Sequence, residues 1–370
     1  MIFVGQDLHV RNSMLYATDS EGRLLMRCRC ENRPAEMAGF WETLLRKAGG
    51  EVQPVRVILE ATTNARAGQR LIARTGQAAG LPVQADVVDP RKIRLIAESV
   101  VKTDLLDARV LCELARSNFK LPLCYMPDDE EFALREHLRA RSDLVRLRTM
   151  LKNRVHAVLH RRGILRPQDG LFSRNGRAFL QALELDPEGR EILDRFGTLI
   201  EQVNAALAAS EHALRELRRR QRWQRPAALL QTIPGIGLIT ALTILAELGD
   251  LSRFRSRAAV AHYAGLTPRV HFSDGKGYLG HTTRRGAAHL RQMLCEAAWI
   301  SVRKVPVYEA LFNRVAARRG KSIAIVAVAR RLLEDAFVIL RRNVPFRFVS
   351  PPPVVDTTRV DRQVAPSVAG

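Results

Sequence analysis

The sequence predicts an α/β domain at the N-terminus, a long helical, coiled-coil-like middle region, and a mostly α C-terminal domain containing a helix-hairpin-helix. Three observations predict this. Short apolar runs ending in turn residues alternate with helix-period segments through roughly the first 118 residues. Leucine, isoleucine and valine then recur three and four residues apart from 190 to 222, after an earlier helical stretch over 129–162. Finally, I-P-G-I-G at 233–237 separates two apolar helical segments.

In chain order, Ile2 to Val4 is a short apolar run continued by Gly5-Gln6-Asp7, Met14 to Ala17 is a second, and Leu24 to Cys30 follows the turn Asp19-Ser20-Glu21-Gly22. Together they form a strand meander with Asp7 on its first member. Met37, Phe40, Trp41, Leu44 and Leu45 are spaced for a helix over Pro34–Lys47. Val55 to Leu59 is a continuous β-branched run ending in Glu60, which is the pattern of a buried central strand. Ala67 to Arg74 is a helix, Val83 to Val88 another strand, and Pro90 opens a helix carrying Arg91, Lys92 and Arg94. Alternation of this kind specifies an α/β domain.

Residues 129–162 place Leu144, Leu147, Leu151, Val155 and Val158 on one stripe among many Arg and Lys residues. In 190–222 the seam runs Leu193, Phe196, Ile200, Val203, Leu207, Ser210, Leu214, Leu217. A Gly- and Pro-containing linker over 163–189 separates the two stretches. They read equally well as an antiparallel hairpin, an intramolecular bundle or a coiled-coil dimer arm. Ile323 to Arg342 is amphipathic and packs the last core, and the Pro-rich 345–370 is expected to be a disordered tail. The expected boundaries are therefore 1–118, 119–226, 227–344 and 345–370.

The chain of 370 residues carries 59 Lys and Arg against 38 Asp and Glu, a net charge of +21. A pI near 10.9 makes a polyanion the default partner. Composition does not distinguish DNA from RNA. No apolar stretch is long enough to span a bilayer, and the N-terminus lacks the pattern of a signal peptide, so no membrane role and a cytosolic location are expected. The five cysteines are scattered and odd in number, which argues for reduced thiols. Cys28 and Cys30 lack any second Cys or His pair at zinc spacing, and read as strand residues.

In K-T-D-L-L-D-A-R, Lys102 to Arg109, the carboxylates of Asp104 and Asp107 share one helix face. Two close acids repel each other unless a cation sits between them, and hard oxygen ligands suit Mg2+. An isolated D-x-x-D is more readily a solvated face. Asp7 and Glu60, each ending a predicted strand, move the balance toward a metal site. An Asp on the first strand, a Glu ending a central one and acids on a later helix form the arrangement of RuvC/RNase-H-like nucleases. The phrases G-Q-D-L-H, V-I-L-E-A-T, V-D-P-R-K-I and K-T-D-L-L-D-A-R-V-L resemble, in order and spacing, the DEDD transposases of the insertion sequence 110 family. The resemblance implies a RuvC-like first domain whose Asp7, Glu60, Asp104 and Asp107 hold Mg2+.

Farther on, Gly235 and Gly237 permit a tight turn whose following helix offers unpaired N–H groups to a phosphate; a packing turn between core helices is the alternative. The run Arg218-Arg219-Arg220-Gln221-Arg222 reads as a phosphate-contact strip or a solvated helix end. Between 261 and 291, glycines at 275, 277, 280 and 286 among basic residues suggest a flexible, phosphate-friendly loop. Lys102, Arg269, Lys276 and Arg285 are candidate nucleic-acid contacts. His271, His281 and His289 fit a nucleic-acid or plain loop role better than acid–base catalysis. This segment resembles the family's C-terminal transposase domain, in which a serine is the nucleophile; Ser273 matches it, and Arg284 is a candidate for stabilising phosphoryl charge. The sequence departs from the family in having Phe272-Ser273-Asp274-Gly275 for Ser-Ser-Gly and Ala287 at an amide position.

The resemblance implies a transposase or site-specific recombinase that joins donor and target double-stranded DNA through a phosphoserine link at a composite site. It also implies guidance by a noncoding bridge RNA and assembly as a dimer or tetramer. The rival readings are a Mg2+-dependent junction resolvase or nuclease that activates water, and an inactive nucleic-acid-binding relative.

Overall fold

A computed structural model describes residues 1–93, 103–117, 119–165, 167, 170–273, 276–282 and 286–347, with the backbone alone between 269 and 281. The chain forms two compact units, Met1–Pro127 and Asp128–Gly370.

The first unit is built on a five-stranded sheet of order β3-β2-β1-β4-β5. Strands β1 (Ile2–Leu8), β2 (Asn12–Thr18) and β3 (Leu24–Glu31) form an antiparallel meander, and β4 (Val55–Glu60) and β5 (Val83–Val88) join β1 in parallel. The parallel strands are the β-branched runs, because crossover connections bury both of their faces. One face carries α1 (Pro34–Lys47) and α2 (Ala65–Ala78), where Ile2, Val4, Leu15, Val55 and Val57 meet Met37, Trp41, Leu44 and Ile72. Each of these fully buried side chains contributes roughly 1.5–3 kcal/mol of transfer free energy. Trp41 keeps its polar edge satisfied by donating from Nε1 to Thr75 Oγ1 at 3.0 Å.

The short α3 (Pro90–Ile93) and α4 (Asp104–Arg116) take the other face, where Leu111, Leu114 and Ala115 cover Ile58 and Val88. The Cys112 thiol donates to Phe3 O at 3.2 Å, and Arg56 Nη1 donates to Ala115 O at 3.3 Å, tying α4 to β1 and β4. The outer end of β5 is covered by the segment after α4, through Cys124 N to Val87 O at 2.7 Å and a bridge from Val88 to Leu123. The mixed α/β architecture and the strand order agree with the RNase-H-like arrangement. Arg94 and Lys102 lie outside the described residues.

The second unit begins with α5 (Asp129–His160), followed by α6 (Arg174–Ala182) and α7 (Pro187–Arg219). Helices α5 and α7 pack as an antiparallel hairpin within the chain, over a core of Leu151, Val155, Val158, Leu193, Ile200, Val203 and Leu207. Arg141 bonds Glu211 at 2.7 Å midway along the hairpin, and Arg162 bonds Asp186 through two contacts of 2.6 and 2.8 Å at its far end. The seam is as spaced, with one correction. Leu147, placed on the buried stripe of α5, is 39% exposed.

Helices α8 (Gln221–Leu230) and α9 (Leu238–Leu248) flank the turn that contains Gly235 and Gly237, and α10 (Arg257–Tyr263), α11 (Ala288–Lys304), α12 (Pro306–Arg319) and α13 (Lys321–Arg342) complete the core. Leu332, Leu333 and Ala336 of α13 are fully buried, as is Tyr308, whose hydroxyl donates to Asp335 at 3.0 Å. Arg135 closes the carboxyl end of α9 by donating to Ala246 O at 2.8 Å. The glycine-rich segment read as a loop is instead a pair of antiparallel strands, β6 (Pro268–Ser273) and β7 (Lys276–Thr282). The tail expected to be disordered begins packed: Phe346 stacks on Tyr308 at 6.1 Å, and its N–H donates to Thr232 Oγ1 at 2.8 Å. Residues 348–370 lie outside the described part. Among the described residues no helix is long and apolar enough to cross a membrane.

Candidate functional site

The site forms where strand ends meet the start of a helix. Gln6 is in register with Leu59, so the next residues, Asp7 and Glu60, sit side by side at the carboxyl ends of two parallel strands. Parallel neighbours in register point to the same face. That face is the one under α4, because Phe3 packs with Ile58 beneath it while Ile2, Val4 and Val57 face α1. Helix α4 comes close because Gly5 has no side chain: a Cβ there would stand 1.9 Å from Ala108 O and 2.4 Å from Cys112 N. Thr103 caps the helix by accepting from Leu106 N at 3.2 Å, which places Asp104 and Asp107 in the first turn, at the positive end of the helix dipole.

The carboxyl of Asp7 is held above its usual range chiefly by burial; Asp104 and Asp107 push it further up, and His9 opposes them. Three of the four predicted acids therefore share one electrostatic neighbourhood. Glu60 is placed beside them by register. Hard oxygen donors that raise one another's proton affinity are suited to a divalent cation, so the residues present fit the metal that a DEDD transposase implies.

His9 is the residue that sequence reasoning missed. Its Nε2 lies 3.1 Å from Asp7 Oδ2 and 3.5 Å from Asp104 Oδ2. Asp7, His9 and Asp104 each offer a donor atom, all within 4.8 Å of one another. His9 stands two residues after Asp7 but just past the last residue of β1, so strand alternation does not carry far enough to signal it. Around His9 the backbone is fixed: its carbonyl accepts from Asn32 Nδ2 at 2.8 Å and Asn64 Nδ2 at 2.9 Å. Asn32 in turn accepts from Ser13 Oγ at 2.6 Å, and Ser13 accepts from the buried Gln6 Nε2 at 2.9 Å. Arg29 stands 3.9 Å from Asp104 Oδ2 at the rim.

In the second unit, Ser273 ends β6 in register with Lys276, and Arg269 lies on the same strand. Arg284 and Arg285 lie outside the described residues. Gly235 has φ +102, and a Cβ on it would strike Ser301 Oγ at 2.4 Å and Ala297 O at 2.6 Å, so its lack of a side chain serves packing against α11. Gly237, the residue preceding α9, has nothing within 4 Å of its Cβ position, leaving the start of that helix approachable. The arginine strip is partly engaged inside the chain. Arg222 contacts Asp128 at 2.6 Å, Glu131 at 2.5 Å and Glu130 at 3.4 Å, and Arg219 contacts Glu216 at 2.8 Å. His289 sits with both ring nitrogens buried and without a hydrogen-bond partner, and burial lowers its proton affinity.

Known proteins match both units. A DEDD transposase family model of the IS110 group, described as Transposase, spans residues 4–162. A second model, described as Transposase IS116/IS110/IS902 family, spans 227–313. The chain is 27% identical over 321 residues to the transposase for insertion sequence element IS1328 of Yersinia enterocolitica, covering 82% of this chain and 92% of that one. It is also 27% identical over 364 residues to a probable family 20 transposase of Pseudomonas aeruginosa, covering 93% and 98% of the two chains. The pilin gene-inverting protein of Moraxella bovis is 33% identical over 128 residues, 32% of this chain and 38% of that one. With acids gathered above a five-stranded sheet and family matches over 4–162 and 227–313, the protein is of the transposase class. More narrowly, it belongs to the IS110 family of insertion-sequence transposases, the DEDD group.

Proposed function

We propose that this transposase cleaves and rejoins DNA strands with a divalent metal held by Asp7, Glu60, Asp104 and Asp107 and with Ser273 as the nucleophile. The observation that carries the reading is the gathering of Asp7 and Asp104 around one point, within 4.8 Å, at the ends of β1 and α4. When bound, the metal supplies charge neutralisation of a scissile phosphate. Asp7, whose carboxyl burial holds above its usual range, would set the depth of the site. Asp104 and Asp107, in the first helical turn, would orient on its open side.

In the proposed step the Ser273 hydroxyl gives up its proton and its Oγ forms a bond to phosphorus. The phosphorus–sugar oxygen bond breaks, and the departing oxygen takes up a proton. The phosphoserine link keeps the ester energy, so a hydroxyl of a new partner strand can reverse the step and release the serine. Arg284 would stabilise the charge on the phosphoryl oxygens. Lys102, Arg269, Lys276 and Arg285 would hold the nucleic-acid backbone, and Gly237, with Gly235 shaping the turn, would present the start of α9 to a phosphate. Family membership and the net charge of +21 support binding to donor and target DNA, guidance by a noncoding RNA, and a dimer or tetramer as the working form.

The test is a supercoiled-plasmid assay with the element's ends, its flanking RNA and divalent metal, with covalent protein–DNA adducts resolved under denaturing conditions. The wild-type chain is expected to form the adduct and Ser273→Ala to lose both adduct and product. Cleavage that persists in Ser273→Ala would instead identify a nuclease using activated water.

A further inference from the structure

Among the acids of this neighbourhood stands a nitrogen donor, His9. Resting on the reading of that neighbourhood as a metal site, we propose that His9 is itself a metal ligand, and that the site is thereby tuned to Mn2+ over Mg2+.

The distances carry this. With metal–donor bonds of about 2.1 Å, adjacent ligands of an octahedral ion lie roughly 3.0 Å apart and opposite ones roughly 4.2 Å apart. His9 Nε2 is hydrogen-bonded to Asp7 Oδ2 at 3.1 Å and lies 3.5 Å from Asp104 Oδ2, so the ring already stands near the separation of neighbouring positions in one coordination sphere. All three donor atoms lie within 4.8 Å of one another, slightly wider than the roughly 4.2 Å across a whole sphere.

The backbone around His9 makes the second argument. Two side-chain amides, from Asn32 and Asn64, converge on the His9 carbonyl at 2.8 and 2.9 Å, and the His9 N–H donates to Asn12 O at 3.0 Å. A side chain that serves only as a mobile countercharge needs no such anchoring. A ligand does, because fixing its backbone beforehand removes the entropy cost of organising it when the ion binds. The countercharge role also has another occupant: Arg29 stands 3.9 Å from Asp104, braced by Asn12 Oδ1 at 3.1 Å.

A nitrogen donor changes selectivity. Mg2+ is hard, holds its water tightly and is bound mainly by oxygen, whereas affinity for nitrogen-containing sites rises along the transition series. A nitrogen donor added to the carboxylates therefore shifts the site's preference from Mg2+ toward Mn2+.

The experiment loads the full-length protein with MnCl2 and reads pulsed electron paramagnetic resonance for coupling of the bound Mn2+ to an imidazole 14N. Mn2+ affinity and its competition by MgCl2 are measured in parallel for wild type, His9→Ala, His9→Gln and Asp104→Asn. Wild type is expected to show the nitrogen coupling. His9→Ala and His9→Gln should lose it, bind Mn2+ about tenfold more weakly, and lose much less of their Mg2+ affinity. Bound Mn2+ without nitrogen coupling in wild type, or coupling that survives in both His9 variants, overturns the ligand assignment while leaving the acidic metal site standing. No Mn2+ or Mg2+ binding that Asp104→Asn abolishes would overturn the metal site, and this proposal with it. His9 is about half exposed, at 49%, so its replacement leaves the fold intact as measured by circular dichroism.

Discussion

Gly5 and Ala108 are in such close approach that any side chain at position 5 would enter the carbonyl oxygen of residue 108, 1.9 Å away. A strand and a helix are thereby locked at a separation that only glycine allows, and Asp7 and Asp104 come together two residues beyond on one element and four residues before on the other. Gly5→Ala is expected to force α4 off the sheet, costing about 3 kcal/mol in urea unfolding and weakening metal binding even though no acid is altered. Unchanged metal affinity in a folded Gly5→Ala protein would show that the acids find one another without this contact.

Asp7→Asn removes a carboxylate that is held above its usual proton affinity by burial and by its acidic neighbours. Without metal, the variant is expected to melt at or above the wild-type temperature. With metal at a hundredfold excess over its dissociation constant, wild type should gain about 2.7 kcal/mol and the variant little or none. Strand transfer should fall to background in the same variant. Differential scanning fluorimetry with and without MnCl2 reads both stability effects.

At the far end of the helical hairpin, Asp186 accepts two bonds from Arg162 and caps α7 through Gly189 N at 2.9 Å. These donors hold its carboxyl well below the usual range. Because the folded pKa is depressed, the stabilisation is complete above the unfolded value near 4 and is lost as pH falls through the lower folded value. Wild type should therefore exceed Asp186→Asn in urea midpoint at pH 7, and the gap should narrow below about pH 4. A gap independent of pH would assign the effect to geometry rather than charge.

Arg222 holds Asp128, Glu130 and the buried Glu131 together at the start of α5 and lies over the Trp223 ring at 4.6 Å. Arg222→Ala is expected to destabilise the second unit by about 2 kcal/mol, less than a fully buried pair would because the guanidinium is partly hydrated. If Arg222 instead serves mainly to contact phosphate, DNA affinity will fall with stability unchanged. Denaturation and filter binding on the same preparation separate the two.

The strands of the sheet and its first helix were legible because burial on one or both faces imposes a periodicity that residues such as Val57, Leu59, Met37 and Trp41 display directly. The convergence of Asp7 with Asp104 and Asp107 was legible for a similar reason, since strand ends and a helix N-terminus fix carboxylates in place. His9 was not, because it sits just beyond the last residue of β1, where strand periodicity stops being a guide. The β6–β7 pair was obscured by Gly277 and Gly280, which weaken a strand pattern. Yet Asp274-Gly275 flanked by Val270, Phe272 and Tyr278 is a hairpin signal that outweighs them. Leu147 followed the apolar stripe but not the partner helix, and spacing alone cannot say where a facing helix ends.

The outermost strand, β3, exposes Arg27 and Arg29 between the half-covered Met26 and Cys28 and the buried Cys30. A guest chain seeking to extend the sheet along that border would have to bury two guanidinium groups, which rules the border out as a template for runaway stacking. The charge that suits this protein to a polyanion thus also guards the open border of its sheet against a stray strand.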